Sequence, residues 1–567
     1  MRLTQPAFIV FIITLLMLSA CSSVQEKNER TTGLVSGSGM VVSAHPAASE
    51  VGKAILQKGG NAVDASIAVQ LALAVVYPAA GNIGGGGFMV ARFADGHVDA
   101  LDFREKAPDA AYTDMYLGET GEADAEKSYR GHLSAGVPGT VAGLAEAHAK
   151  YGKLPWNELV QPAIDLASKG VVLTKAEAEG LREIQEDLKK FNTISPAHLI
   201  NDNWQEGDTL IQADLGKALE RIRDGGRAGF YEGQTAQDLV NEMKRGNGLI
   251  TLQDLKNYTA VWRKPLELNY KNYKVISMPP PSSGGILLFQ MLQAIETYPL
   301  KDWGWNSAKS AHLIIEAERR AYADRAVYIG DPDFTAIPVK QLTDRAYVDA
   351  RMKDYNAEIA TPSEKIKEGQ ITKESEQTTH LSIVDAQGNA VSVTTTINAG
   401  YGSMVVVGGS GFFLNGEMDD FSVKPGVPNL YGAVGGAVNK IEPGKRMLSS
   451  MTPTILEKDG NLFMVVGTPG GTTIITSVFQ TILNVIEFEK TMQEAVTAPR
   501  FHHQWAPDLI FIETGSFTPE VTAELEKMGH KLTDRGSIGR VDAIKILSNG
   551  KLEGGADPRG DDAAAGY

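Results

Sequence analysis

The chain has a single cysteine in 567 residues. That excludes an intrachain disulfide and any metal centre built from several thiolates. Positive charge is in deficit, with 54 Lys and Arg against 69 Asp and Glu and a formal charge of −15. A general nucleic-acid binder needs a basic face to neutralise phosphates, so that class is excluded as well. No apolar run reaches the length needed to span a bilayer. Common catalytic and nucleotide signatures are also missing. There is no Gly-x-Ser-x-Gly, no P-loop, and none of the ten histidines begins a His-Glu-x-x-His motif. What remains is 43% apolar and 22% charged residues with 59 glycines, the composition of a folded protein that buries a large core. Length alone allows three or four domains.

The lone cysteine has a telling position. Arg2 precedes an apolar run over residues 7–18, interrupted only by Thr14, which suits the h-region of a signal peptide. The run ends in Leu18-Ser19-Ala20-Cys21, which resembles a bacterial lipobox. The resemblance implies a signal peptide over 1–20, a lipid on Cys21, and a polar tether over 21–33. Ser22, rather than Asp, after the cysteine fits sorting to the outer membrane. The expected location is the periplasmic side of a bacterial membrane, or the periplasm if the signal is cut without lipidation.

Further along, residues 47–76 show two helical faces separated by Gly59-Gly60, with Asn61 placed to start the second helix. The run 81–88 carries five glycines without dinucleotide-binding spacing, and is expected to allow close strand packing near a site. A helix is expected from Ser307 to about Tyr328, stopped by Gly330-Asp331-Pro332. Residues 353–377 include ten charged side chains and few aliphatics, which reads as an exposed, mobile segment. Hairpins are expected over 381–397, 453–466 and 541 onward, and a helix over 474–486. Helices layered on antiparallel strands indicate an α/β layered fold. The adjacent pair His502-His503 reads as structural, since neighbours in a strand or helix point apart.

The informative junction is Gln377-Thr378-Thr379-His380. Together with the stretches 59–65, 101–105, 278–285, 321–325, 415–421, 448–451 and 557–559, it resembles the γ-glutamyltranspeptidases, members of the N-terminal-nucleophile hydrolase superfamily. The resemblance runs over nearly the whole chain beyond the signal segment. It implies a four-layer αββα sandwich built from two fragments of one precursor, 34–377 and 378–567, cut autocatalytically at Gln377-Thr378. The physical logic is sound. A threonine hydroxyl needs an adjacent base, and a freed α-amino group on the same residue has an ordinary pKa of about 7.7–8.0.

The family's roles fall on matching positions here. Thr378 is the expected nucleophile and, through its amine, the base; Thr396 is expected to hydrogen-bond it. Gly470 and Gly471 match the oxyanion hole, a role that glycines between a strand and a helix start can fill. Arg104 matches the clamp for the substrate α-carboxylate, with Ser449 and Ser450 beside it. Asn398, Glu417 and Asp420 match the positions that hold the α-ammonium, and some members carry Gln where Glu417 stands. Residues 424–436 resemble the lid loop, with Tyr431 as its aromatic gate. No cofactor or metal is implied. The expected partners are glutathione and other γ-glutamyl compounds, with amino acids or peptides as acceptors. Two other readings remain open: a glutaryl-cephalosporin (β-lactam) acylase of the same superfamily, against which the acids Glu417 and Asp420 weigh, and a non-catalytic peptide-binding surface lipoprotein.

Overall fold

In the computed structural model, which describes residues 30–366, 378–423 and 436–567, neighbouring strand residues enter different cores. Met89 and Ala91 pack against helices on one side of a sheet, while Phe88 and Val90 meet a second sheet on the other. This is the period of two that a strand imposes on its side chains.

The strands of the two large sheets are β1 Leu34–Ser36, β2 Met40–Ser43, β3 Gly86–Arg92, β4 Val98–Asp102, β5 Val261–Arg263, β6 Leu266–Tyr270 and β7 Tyr273–Ser277. They continue as β8 Thr378–Val384, β9 Ala390–Thr396, β10 Thr454–Lys458, β11 Asn461–Gly467, β12 Asp542–Ile546, β13 Leu552–Gly555 and β14 Ala563–Gly566. One sheet has the order β14-β2-β8-β9-β3-β4-β5 and the other β1-β13-β12-β11-β10-β7-β6. The helices that matter here are α1 Pro46–Gln57, α2 Ala62–Val76, α3 Lys175–Glu183, α4 Gly284–Ile295, α5 Ala308–Tyr328 and α6 Thr473–Ile486.

Val41, Leu381, Ile383 and Val393 turn outward from the first sheet into a core shared with α2. Val275, Leu456, Met464 and Val466 do the same from the second sheet into a core shared with α4, α5 and α6. Between the sheets, Met40, Val42 and Val90 meet Ile276, Ile455 and Val465. The order helix, sheet, sheet, helix is the αββα sandwich. Residues 32–567 form one compact unit, so the three or four domains that length allows are not present. Both sheets mix strands from before and after residue 377: β2 to β5 with β8, β9 and β14 in one, and β1, β6 and β7 with β10 to β13 in the other.

The helix boundaries follow the expected chemistry. Gly59 has φ of +100°, a left-handed position that suits glycine after α1. Asn61 caps α2 through a reciprocal capping box with Asp64. Ser307 caps α5, accepting from Ser310 N.

In its described part the segment from 353 keeps its charged side chains exposed, as expected, yet it is anchored at three points. Ala360, Ser363 and Ile366 are buried. Ser363 is held from three sides: Arg319 Nη1 donates to its Oγ (2.7 Å), Trp505 Nε1 to its carbonyl (2.9 Å), and its own N to Asp508 Oδ2 (3.1 Å). The segment's own charges are solvated as their number predicts, while Arg319 and Asp508, from elsewhere in the chain, hold Ser363 in place. Residues 367–377 lie outside the described part, as do residues 1–29 with Cys21, and 424–435 with Tyr431. Among the described residues, no helix is long and apolar enough to cross a membrane.

Candidate active site

Thr378 opens β8, and β8 pairs with β9 so that Thr378 stands opposite Thr396. The turn between them is set by Asp385, whose Oδ1 accepts from Gln387 N and Asn389 N, both at 2.9 Å. Its Oδ2 accepts from Ala62 N (3.0 Å), the first residue of α2. One aspartate therefore fixes the hairpin and pins it to a helix start, where its negative charge suits the helix dipole.

Beside Thr396, the glycine run does what its density predicts. A Cβ on Gly86 would come within 2.6 Å of Glu105 Oε2 and 2.5 Å of the Phe103 carbonyl. Only glycine lets Glu105 approach the strand that pairs with Thr396. The Thr396 hydroxyl accepts from Asn398 N (2.8 Å), a local turn beside the strand end. Asn398 has φ of +74° and donates from Nδ2 to Gly416 O (2.8 Å).

Arg104, fully buried, lies at the centre of a charge cluster. Nη1 donates to Glu417 Oε2 (2.6 Å) and Glu105 Oε2 (3.2 Å), while Nη2 donates to Asp420 and to the Leu448 carbonyl (3.2 Å). The resemblance assigns Arg104 and the acids to different groups of a ligand; the structure pairs them directly with each other. The physical reason is that a buried guanidinium needs counter-charges in contact. Burial opposes its charge, but Glu417, Glu105 and Asp420 together hold its pKa above the ordinary arginine value. Burial likewise pushes the Glu417 and Glu105 carboxyls up, each to about 7, against the pull of Arg104.

Ser449 and Ser450 are held by the 281–283 segment. Ser283 donates from N (2.7 Å) and from Oγ (2.8 Å) to the Ser449 carbonyl. Arg325 Nη2 donates to Ser450 Oγ (3.0 Å) and its Nε to Ser283 Oγ (3.0 Å). Arg104, Thr378, Thr396, Asn398, Asp420, Ser449, Ser450 and Gly471 line one cavity, of about 20 Å³. Such a volume admits about one water, so the ion pairs nearly fill it.

Gly470 and Gly471 lie between β11 and α6, with φ of +135° and +57°. Their carbonyls accept from Thr473 N and Ile474 N, both at 3.1 Å. Their own N–H groups make no hydrogen bond to the described residues. They stand at the start of a 14-residue helix, where unpaired N–H groups and the helix dipole favour an anion. Gly471 lines the Arg104 cavity, and Gly470 lines a second cavity that also touches Thr378.

The histidines supply no general base here. His380 is two residues from Thr378, but its ring nitrogens engage Thr394 Oγ1 (2.9 Å) and Ser382 Oγ (3.1 Å). Burial pushes its pKa down to about 3. His502 meets Thr476 Oγ1 (2.9 Å) and His503 meets Asp508 (3.3 Å), a structural pair as expected from the sequence. Among the described residues, His312, Glu316 and His530 cluster with metal-ligand types. Their partners account for them: His312 Nδ1 meets His530 Nε2 (2.7 Å), and Arg320 Nη1 binds Glu316 (2.6 Å).

Residue-type arguments missed Glu105 and Arg325 as site members. Both stand inside the quoted stretches 101–105 and 321–325, and the signal for each was a charge next to a residue already singled out.

An αββα sandwich whose paired-strand hairpin begins with a threonine, flanked by a charge cluster and by unpaired glycine N–H groups, defines an N-terminal-nucleophile hydrolase. The sequence model of gamma-glutamyltranspeptidase matches residues 48–567. The chain is 46% identical to the glutathione hydrolase proenzyme of Escherichia coli K12 over 533 residues, covering 93% of this chain and 92% of that one. It is 47% identical to the Pseudomonas aeruginosa glutathione hydrolase proenzyme over 528 residues, covering 92% and 93%. Among solved structures, the Bacillus halodurans cephalosporin acylase superposes with a TM-score of 0.84 at 25% identity, over 96% of this chain and 98% of that one. The Helicobacter pylori gamma-glutamyltranspeptidase chain has a TM-score of 0.56 at 44% identity, over 60% and 97%. The chain belongs to the gamma-glutamyltranspeptidase family and is an enzyme.

Proposed function

We propose that the enzyme is a glutathione hydrolase and γ-glutamyltransferase that acts through a γ-glutamyl ester on Thr378. The observation that carries this reading is the placement of Thr378 between the Arg104–Glu417–Asp420 cluster and the Gly470-Gly471 N–H pair. The donor is a zwitterion at its α-carbon. Its carboxylate takes Arg104 with Ser449 and Ser450, and its ammonium takes Glu417, Asp420 and Asn398. The substrate thereby replaces an internal ion pair with two external ones, and no buried charge is left uncompensated.

The Thr378 hydroxyl attacks the γ-carbonyl, and its proton passes through the residue's own amine to the departing nitrogen as the C–N bond breaks. The glycine N–H groups hold the developing oxyanion. Water or an acceptor amine then cleaves the ester and returns the proton to the Thr378 oxygen. The amine becomes available only after the bond between Gln377 and Thr378 is cut, so the chain matures into fragments 21–377 and 378–567 that stay together as a heterodimer. The Leu18–Cys21 stretch supports export and lipidation at Cys21, with anchoring on the periplasmic side of a bacterial membrane. The acids facing Arg104 favour γ-glutamyl over glutaryl donors, which separates this reading from the acylase alternative.

Intact mass of the exported protein tests processing and lipid together. Two fragments with turnover of a γ-glutamyl anilide, against a single inactive chain for Thr378→Ala, is the expected result. A glutaryl anilide turned over faster than the γ-glutamyl one would overturn the substrate assignment.

A further inference from the structure

The reaction above occupies the Arg104 side of Thr378. A second cavity, of about 160 Å³, lies against the same residue, with Tyr77, Gly470, Thr473, Gly539 and Arg540 among its walls. Tyr77 and Arg540 also line a larger cavity of about 590 Å³, so the two adjoin across those side chains. The larger cavity is walled in part by Leu173, Leu181 and Tyr401, all buried, and by a second guanidinium, Arg535.

Reaction geometry says what belongs there. An amide carbon under attack carries its acyl chain and its nitrogen in different directions. With the amino-acid end of the donor held by Arg104, the nitrogen substituent departs on the Arg540 side. An acceptor amine that attacks the ester must arrive by the route along which the first amine left. Both cavities are thus placed to take the amine half of the reaction, whether leaving or entering.

The chemistry of Arg540 fits a carboxylate. Its Nε and Nη2 donate to Asp562 Oδ2 at 2.8 and 2.6 Å, its Nη1 to Tyr77 Oη at 2.7 Å, and its Nη2 to the Ala44 carbonyl at 3.3 Å. Four of the five guanidinium N–H groups are therefore committed, and the fifth, on Nη1, has no acceptor among the described residues. Asp562 and Tyr77 hold the group in one orientation, so little side-chain entropy is lost when a ligand binds it.

We propose that these adjoining cavities are the subsite for the amine component, an α-amino acid or dipeptide with a free carboxylate, and that Arg540 is the residue that reads that carboxylate. The wall of Leu173, Leu181 and Tyr401 takes an apolar side chain. In the transfer step the acceptor nitrogen forms the new C–N bond, the ester C–O bond breaks, and the amine proton goes to the Thr378 oxygen. The proposal rests on the γ-glutamyl reading above.

The test compares acceptors that differ only in charge: glycylglycine against glycylglycinamide, with γ-glutamyl p-nitroanilide as donor. The unsubstituted enzyme is expected to transfer to the free carboxylate at least about tenfold more efficiently, in line with a charge-assisted hydrogen bond. Arg540→Gln should shrink that ratio to about twofold, and Arg540→Lys should restore part of it. Equal losses for both acceptors, or no preference in the unsubstituted enzyme, would overturn the assignment.

Because Arg540 is tied to a buried aspartate, Arg540→Gln is at risk of failing to fold, and Ala176→Trp gives an independent readout. Ala176 is exposed on α3 and lines the larger cavity. This change should raise the KM of phenylalanylglycine several-fold more than that of glycylglycine, and equal effects on both would again count against the proposal. If the processed, unsubstituted enzyme fails to release p-nitroaniline, the underlying γ-glutamyl reading fails; release with no acceptor preference removes the subsite alone.

Discussion

On the proposed reading Glu417 meets two demands at once: it pairs with Arg104 in the buried site, and it offers charge to an incoming ammonium. Burial holds its pKa up at about 7, as it does for Glu105. On that reading the carboxyl that takes the ammonium is ionised only as pH rises through about 7. The KM for a γ-glutamyl donor should fall across that range, and Glu417→Gln should flatten this limb while keeping activity. The same shift acts on stability with the opposite sense. Between the unfolded value of about 4.3 and the folded value of about 7, the folded state holds protons that the unfolded state has released. The contribution of these acids to stability then declines as pH rises through that window. Chemical denaturation at pH 5 and pH 8 should show a smaller difference for Glu417→Gln than for the unsubstituted protein. At Gly471, φ of +57° strains any side chain. If Gly471 N–H holds the oxyanion as proposed, Gly471→Ala disturbs a donor aimed at charge that develops only in the transition state, and kcat should fall about 100- to 1,000-fold. A much smaller loss, measured as burst-phase acylation, would place the oxyanion elsewhere.

The β8–β9 hairpin shows what sequence patterning can and cannot reach. Its strands were legible because two runs rich in Val, Ile and Thr flank a turn of Asp, Gln, Gly and Asn. What was not legible is that Asp385 reaches Ala62, 323 positions away, since a turn aspartate carries no mark of a distant partner. Asp385→Ala removes four accepted hydrogen bonds, one of which joins the hairpin to α2. It should lower the thermal midpoint by several degrees and slow conversion to two fragments, which timed gel electrophoresis would follow. Likewise, the charged stretch after residue 353 read as exposed because charge is usually solvated. Arg319 and Asp508 nonetheless hold it at Ser363, and such pairing is invisible until the fold brings them together. The direct contact of Arg104 with Glu417 escaped for the same reason: motifs name the charged residues but not which of them meet.

At the scale of the molecule, layers and site both follow from one hairpin placed centrally in a seven-stranded sheet. The αββα order was carried by the family resemblance more than by local pattern, because buried strands on both faces lose the alternation that identifies them. Each sheet pairs strands from both sides of residue 377, so parting the two fragments would break strand pairing in both sheets. The processed enzyme should elute as one species in native size-exclusion chromatography and separate only in denaturant.

That interleaving also sets the order of reaction for refolding. The uncut chain folds with its two parts tethered, so one part always meets the other at a high effective concentration. With the bond before Thr378 cut as proposed, the same strands must find each other in solution, and recovery becomes bimolecular. Diluting denatured precursor should leave its refolding half-time unchanged, whereas diluting denatured mature enzyme tenfold should lengthen it about tenfold. On the proposed processing, the fold is reached once, by the tethered chain, and is afterwards kept rather than remade.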